Sequence, residues 1–254
     1  MQVVTVCNQK GGVSKTTTVW ALGAGLHKRG YSVLMVDLDA QSNLSFTAGV
    51  DLLGVEKSLY EVFKGKADIN DAVITLEIGL DILVGSIDLA SADREFTGAK
   101  LFYMLRDALK QLNKEYDYCI IDTPPTLGVL TENALAASDK LIIPMKTEIY
   151  ALQGVGQLGS FIEEQQKYTN PDLVTDGILI TCVDERTNLA KTMLNEFEEV
   201  ADNLGTKVYK SRIRSAVAVG ECALRQSNLF DEAPNATATK DYQAFIDEFL
   251  QGDN

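Results

Sequence analysis

The chain has 254 residues, 46% hydrophobic and 23% charged, values that suit a globular core and exclude a disordered or collagen-like chain. Its 36 acids against 23 bases give a net charge of −13, which opposes broad attraction to nucleic acid or to anionic lipid. MQVVTVCNQK carries no basic stretch leading an apolar one, and no run reaches the roughly 18 apolar residues a membrane span needs, so a cytoplasmic single domain over residues 1–254 is expected.

In chain order, short apolar β-rich runs alternate with longer segments of helical period. Residues 3–7, 32–37, 80–84, 118–122, 140–144 and 177–182 read as strands, and 207–209 as a weaker one. Several are apolar on both faces, as strands of a covered parallel sheet are. The first helix, 16–29, sets Val19, Leu22, Gly23 and Leu26 on one face and stops at Gly30. Further helices are expected over 100–114, 152–168 and 189–203, while 44–78 reads as short helices and loops over one end of the sheet. This alternation predicts an α/β fold with a doubly wound, mostly parallel sheet and helices on both faces. The four cysteines show no C-x-x-C spacing; three lie in apolar strand-like runs, where buried free thiols are expected. His27 is the only histidine, which excludes histidine triads and multi-histidine metal sites.

Residues 3–26, VVTVCNQKGGVSKTTTVWALGAGL, read as strand, glycine-containing turn and helix, the setting in which backbone N–H groups and a helix N-terminus converge on phosphate oxygens. Lys15 supplies a point charge for the β- and γ-phosphates, and Thr16 offers a hydroxyl to Mg²⁺. The strict pattern G-x-x-x-x-G-K-[ST] is not met: Gln9 and Ser14 stand at its glycine positions. A left-handed backbone at Ser14 would cost about 1–2 kcal/mol relative to glycine. Asp37 and Asp39 end the second strand and Asp122 ends the run YDYCIID. In open α/β sheets ligands bind at the carboxyl ends of strands, so all three acids are expected at the rim that carries the loop, with Mg²⁺ relieving their repulsion of a nucleotide.

NQKGGVSKTTT resembles the deviant Walker A motif of the ParA/MinD family of P-loop ATPases, K-G-G-x-G-K-[ST]. DLDAQSN is similar to that family's switch segment, and IIDTPP to its Walker B strand. Likeness continues through LIIPMKTEIYALQGV and TCVDERTNL, spanning essentially the whole chain, and the branch resembled is the short Soj-like ParA proteins. The resemblance implies ATP held by Lys10, Gly11, Gly12, Val13, Ser14, Lys15, Thr16 and Thr17. It implies Mg²⁺ held directly by Thr16 and through water by Asp37 and Asp122. Lys10 would reach the phosphates of a partner subunit in an ATP-sandwich homodimer, and Asp39 would position the attacking water. Hydrolysis would be slow unless a partner completes the site.

The same resemblance implies weak, non-specific DNA binding, a ParB-like partner, nucleoid association in the ATP-bound state, and segregation of a plasmid, chromosome or mobile element. Arg186 in DERTN matches one family DNA contact. IRSAVAVGECA aligns with the family's I-P-R-N-V-R-L-S-E-A-P, placing Ala218 at a second DNA arginine and Arg214 at a proline near which adenine recognition is expected. Residues 206–226 hold five bases against Glu221 alone, so Arg212, Arg214 and Arg225 are candidates to compensate. The alternative is an ATP-switched regulatory or positioning ATPase, MinD-like, acting through a protein partner or a membrane. MinD-type proteins grip membranes with a C-terminal amphipathic helix. Here residues 241–252 are amphipathic but flanked by acids, so this helix is expected to pack on the domain and no membrane contact is expected.

Overall fold

The computed structural model describes residues 1–96, 101–148, 152, 154–184 and 186–252. Eight strands form one sheet: β1 (Gln2–Val6), β2 (Val33–Asp37), β3 (Val73–Thr75), β4 (Asp81–Leu83), β5 (Tyr118–Asp122), β6 (Lys140–Lys146), β7 (Val174–Val183) and β8 (Val208–Arg214). Their order is β3-β4-β2-β5-β1-β6-β7-β8, and every neighbouring pair is parallel except β3 with β4. The central strands β2 (VLMVD) and β5 (YCIID) are buried at every position, as strands covered by helices on both faces should be. Alternate residues divide between the two cores: Val33 and Met35 face one, Leu34 and Val36 the other.

The helix Lys15–Lys28 lies against β2 and β5, and the C-terminal helix Thr237–Gln251 lies beside it against β8. Tyr242, Phe245, Ile246 and Phe249 of the latter are fully buried, so its apolar stripe is spent on the domain. Tyr209 of β8 meets Phe245 edge to face at 4.9 Å. The expected helices at 152–168 and 189–203 are found as Val155–Tyr168 and Asn188–Asn203. That expected over 100–114 is a 3₁₀ turn, Leu101–Tyr103, and a short helix, Met104–Leu109; its start at residue 100 lies outside the described residues, as do 149–151 and 153. The strand β3 is additional: three residues give no periodicity to read. Its hairpin is closed instead by the Leu76 amide donating to the Leu80 carbonyl at 2.8 Å.

Gly25 sets how closely the first helix approaches the last. A Cβ there would stand 2.2 Å from Ile246 Cδ1 and 3.0 Å from Phe230 Cζ. Gly25→Ala is therefore expected to destabilise the fold by about 1–3 kcal/mol in urea unfolding. Adding Ile246→Val, which removes the clashing methyl, should recover part of that loss.

Candidate nucleotide site

The turn Gln9–Ser14 is built by hydrogen bonds reaching across the sheet. Asn8 donates from Nδ2 to the Pro144 carbonyl at 2.8 Å and accepts the Lys10 amide at 2.9 Å. Gln9 donates to the Gly154 carbonyl at 2.9 Å, and Thr181 donates to the Val13 carbonyl at 3.1 Å. Gly12 and Ser14 take the left-handed conformation, φ +71° and +68°, which bends the chain into the helix Lys15–Lys28. Ser14 thus adopts the glycine-like backbone of the motif with its side chain retained, Oγ lying 3.3 Å from Cys182 Sγ. That helix has no side-chain cap at its start, so its first-turn amides face outward, ready for an anion.

Lys15 is 7% exposed and folds back over the turn, its ammonium donating to the Lys10 carbonyl at 3.0 Å. Burial lowers its pKa, while Asp122, Cys7 and Asp39 oppose the shift. Lys10 is half-buried on the same turn, and Gly11 and Gly12 are exposed. Burial pushes the adjacent Cys7 thiol up to about 11, so it stays neutral under the loop.

Asp37 and Asp122 are partners in the β2–β5 register and are both fully buried. Thr16 donates its hydroxyl to Asp122 Oδ2 at 2.6 Å, while Asp122 Oδ1 is buried without any hydrogen-bond partner. Asp37 is held by the amide and hydroxyl of Ser45, at 2.9 and 2.7 Å, and by the Asp39 amide at 3.1 Å. Burial raises the Asp37 pKa to about 6 against these donors; burial and then the Asp37 charge raise that of Asp122. Asp39 is half-buried, and its carboxylate accepts the Gln41 amide at 3.0 Å. Gly85 makes room for this segment, since a Cβ would stand 2.8 Å from the Asp39 carbonyl and 3.0 Å from that of Asp37.

These residues fit a hard dication. The orphaned Asp122 oxygen, the Thr16 hydroxyl and a second buried carboxylate offer oxygen donors beside an anion-binding helix end. Lys10, Lys15, Thr16, Asp37, Asp39 and Asp122, the residues expected from the sequence, lie together at one rim. Sequence reasoning missed Asn8, Ser45 and Gly85, whose roles arise from contacts across the fold. Cys182 is a correction: Cys7, Cys119 and Cys222 are buried, whereas Cys182 is exposed, at φ +51°, where β7 turns out beside the loop.

Three of the arginines considered for DNA, Arg186, Arg214 and Arg225, are each paired with an acid. Arg186 is 89% exposed at its side chain and chelated by Asp184 at 2.8 Å through both Nε and Nη2. Arg214 makes a two-point pair with Asp241, at 2.9 and 2.6 Å, and Arg225 pairs with Glu232. Arg212 is half-buried on β8. Glu248 accepts the Lys210 and Ser211 amides, so acids of the C-terminal helix clasp the strip of residues 206–226 that stood out as basic. Ala218 is half-buried against the core.

The raised Asp37 pKa carries a sign that can be measured. The protonated form is favoured in the fold, so the cost of ionising it is absent below about pH 4, grows to about pH 6 and then stays. In EDTA, the stability of Asp37→Asn relative to wild type should therefore rise by on the order of 2–3 kcal/mol between pH 4 and 7, whatever its pH-independent offset. Urea unfolding at several pH values reads this, and a flat difference would contradict the burial of an ionisable Asp37.

Comparison with known proteins matches this geometry. The AAA domain family matches residues 1–175. The sporulation initiation inhibitor protein Soj of Bacillus subtilis is 40% identical over 222 residues, covering 87% of this chain and 87% of its own. The chromosome partitioning protein ParA of Caulobacter vibrioides is 38% identical over 225 residues, 87% of this chain and 83% of that protein. The solved structure of cobyrinic acid a,c-diamide synthase from Mycobacterium smegmatis, with a bound ATP analogue and magnesium, superposes with a TM-score of 0.86 at 36% identity, covering 99% of this chain and 95% of that one. With a deviant phosphate loop, a buried aspartate pair beneath it and these relatives, the chain belongs to the ParA/Soj family of P-loop ATPases.

Proposed function

We propose that this chain binds and hydrolyses ATP with Mg²⁺, closes into an ATP-sandwich homodimer, and in that state holds DNA weakly and without sequence preference while a ParB-like partner stimulates turnover. One observation carries the reading: an uncapped helix N-terminus and Lys15 stand over the Thr16–Asp122–Asp37 cluster, with one buried carboxylate oxygen left unpartnered. Bound Mg²⁺ would neutralise charge between the phosphates. Thr16 and the two buried aspartates would hold it, and Lys15 would leave the Lys10 carbonyl for the phosphates. Lys10, half-buried on the exposed turn, would reach a second subunit, and Asp39 would orient water.

The segregation role is supported by relatives named for chromosome partitioning. A membrane-cycling role is disfavoured by the C-terminal helix, whose apolar stripe is buried against the domain. DNA contact through Arg186, Arg214 or Arg225 requires them to exchange their acids for phosphates. For the exposed pairs of Arg186 and Arg225 this exchange costs little, whereas releasing Arg214 would leave Asp241, whose side chain is 11% exposed, without its cation; the resulting affinity is weak and salt-sensitive.

In thermal unfolding with Mg-ATP at a hundredfold over Kd, wild type should gain about 2.7 kcal/mol and Lys15→Ala none. Equal gains would remove the phosphate-loop assignment. Lys10→Ala should bind ATP yet remain monomeric by light scattering, whereas Asp39→Ala should dimerise and stay locked. Asp184→Asn should release Arg186 and strengthen ATP-dependent DNA retention at low salt, and Arg186→Glu should weaken it for all sequences alike. If ATP-bound wild type retains no DNA even at low salt, the regulatory reading through a protein partner replaces segregation.

A further inference from the structure

Ser14 and Cys182 are two of the four non-glycine residues with left-handed backbone among the described residues, φ +68° and +51°, and they meet each other. Their side chains share a hydrogen bond, Oγ to Sγ, at 3.3 Å, joining the phosphate turn to the end of β7. A non-glycine residue in this region is strained and persists where its surroundings over-determine it. Two such residues in contact point to one shared constraint.

The strand β7 is irregular at the same place. In a regular strand, neighbouring side chains point to opposite faces. Here Thr181 donates to the Val13 carbonyl at 3.1 Å and to that of Met145 at 3.3 Å, while Cys182, the next residue, meets Ser14. Consecutive residues of β7 therefore grip consecutive residues of the turn. The left-handed backbone at Cys182 and the register shift against β8 between Ile180 and Val183 re-aim the thiol to make this possible.

Ser14 is also the residue that precedes the helix Lys15–Lys28, and serine is among the best helix caps at that position. Its hydroxyl makes no cap hydrogen bond and is turned to Cys182 instead. A capping hydroxyl would occupy one of the first-turn amides that a phosphate needs. We propose that Cys182 is a positioning residue for nucleotide binding, a role that rests on the proposed function: by holding the Ser14 hydroxyl against β7, its thiol keeps the helix N-terminus open for phosphate. A glycine at position 14 has no hydroxyl to restrain, so the need for Cys182 comes with the serine.

Calorimetric titration of ADP with Mg²⁺ into the full chain tests this, with urea unfolding of the same samples as the control for folding. Cys182→Ala should weaken ADP binding roughly three- to tenfold, the range that one neutral hydrogen bond commands. Cys182→Gly, which suits a left-handed backbone and lacks the thiol, carries the same expectation if the alanine variant does not fold. Cys182→Ser keeps a hydrogen-bonding group and should bind within about twofold of wild type. In a Ser14→Gly background, Cys182→Ala should leave the Kd unchanged, because the two residues act as a pair. A packing role alone would weaken binding in both backgrounds alike, and that result overturns the proposal. So does a Cys182→Ala protein that binds ADP as wild type does, or a Cys182→Ser protein as impaired as Cys182→Ala. Wild type that binds no ADP removes the nucleotide reading as well, whereas wild-type binding without dependence on Cys182 removes only this role.

Discussion

Asp37 and Asp122 lie side by side because β2 and β5 pair in parallel with these two residues in register, at strand ends covered by helices on both faces. Burial is the largest cause of both raised pKa values; the Asp37 charge adds to that of Asp122, and the Asp39 charge adds to that of Asp37. Such a pair destabilises an isolated domain. It becomes an asset when a dication and phosphate oxygens are brought to the same rim. The remaining features of the site follow from that constraint. Ser45 and the Asp39 amide partly satisfy Asp37, Thr16 satisfies half of Asp122, and Gly85 leaves space for the backbone that carries them.

The phosphate loop shows the same trade of local strain for function. Ser14 occupies a left-handed conformation that glycine would adopt without penalty, and the Pro144 carbonyl, the Gly154 carbonyl and Thr181 pin the loop from three other parts of the chain. An over-determined backbone can hold one such residue at about 1–3 kcal/mol. The uncapped helix start and the buried Lys15 are likewise unfavourable alone and compatible with a bound polyanion.

What the sequence made legible was whatever repeats locally. Continuous apolar runs located the central strands, Gly30 ended the first helix, and strand-ending aspartates located the rim. Non-local partners left no such mark. Ser45 lies eight residues from Asp37 and Gly85 much further, and nothing in their neighbourhoods signals a carboxylate. The strand β3 is too short to show periodicity, and Cys182 sits in an apolar run yet emerges at a bend where β7 ends. The basic character of residues 206–226 is real in sequence and partly offset in space, because Asp241 and Glu232, from other helices, pair with Arg214 and Arg225. Composition counts charges; only the fold says which of them are already spent.

On the proposed function, this buried carboxylate pair is a metal–nucleotide site, partly protonated until it is filled. Calorimetric titration of Mg-ATP into the protein near pH 6, repeated in buffers of different ionisation enthalpy, measures the protons exchanged on binding. Net proton release at pH 6 that fades toward pH 8, and is reduced in Asp37→Asn, is the result expected. Binding with no proton release at pH 6, or release unchanged by Asp37→Asn, would contradict it.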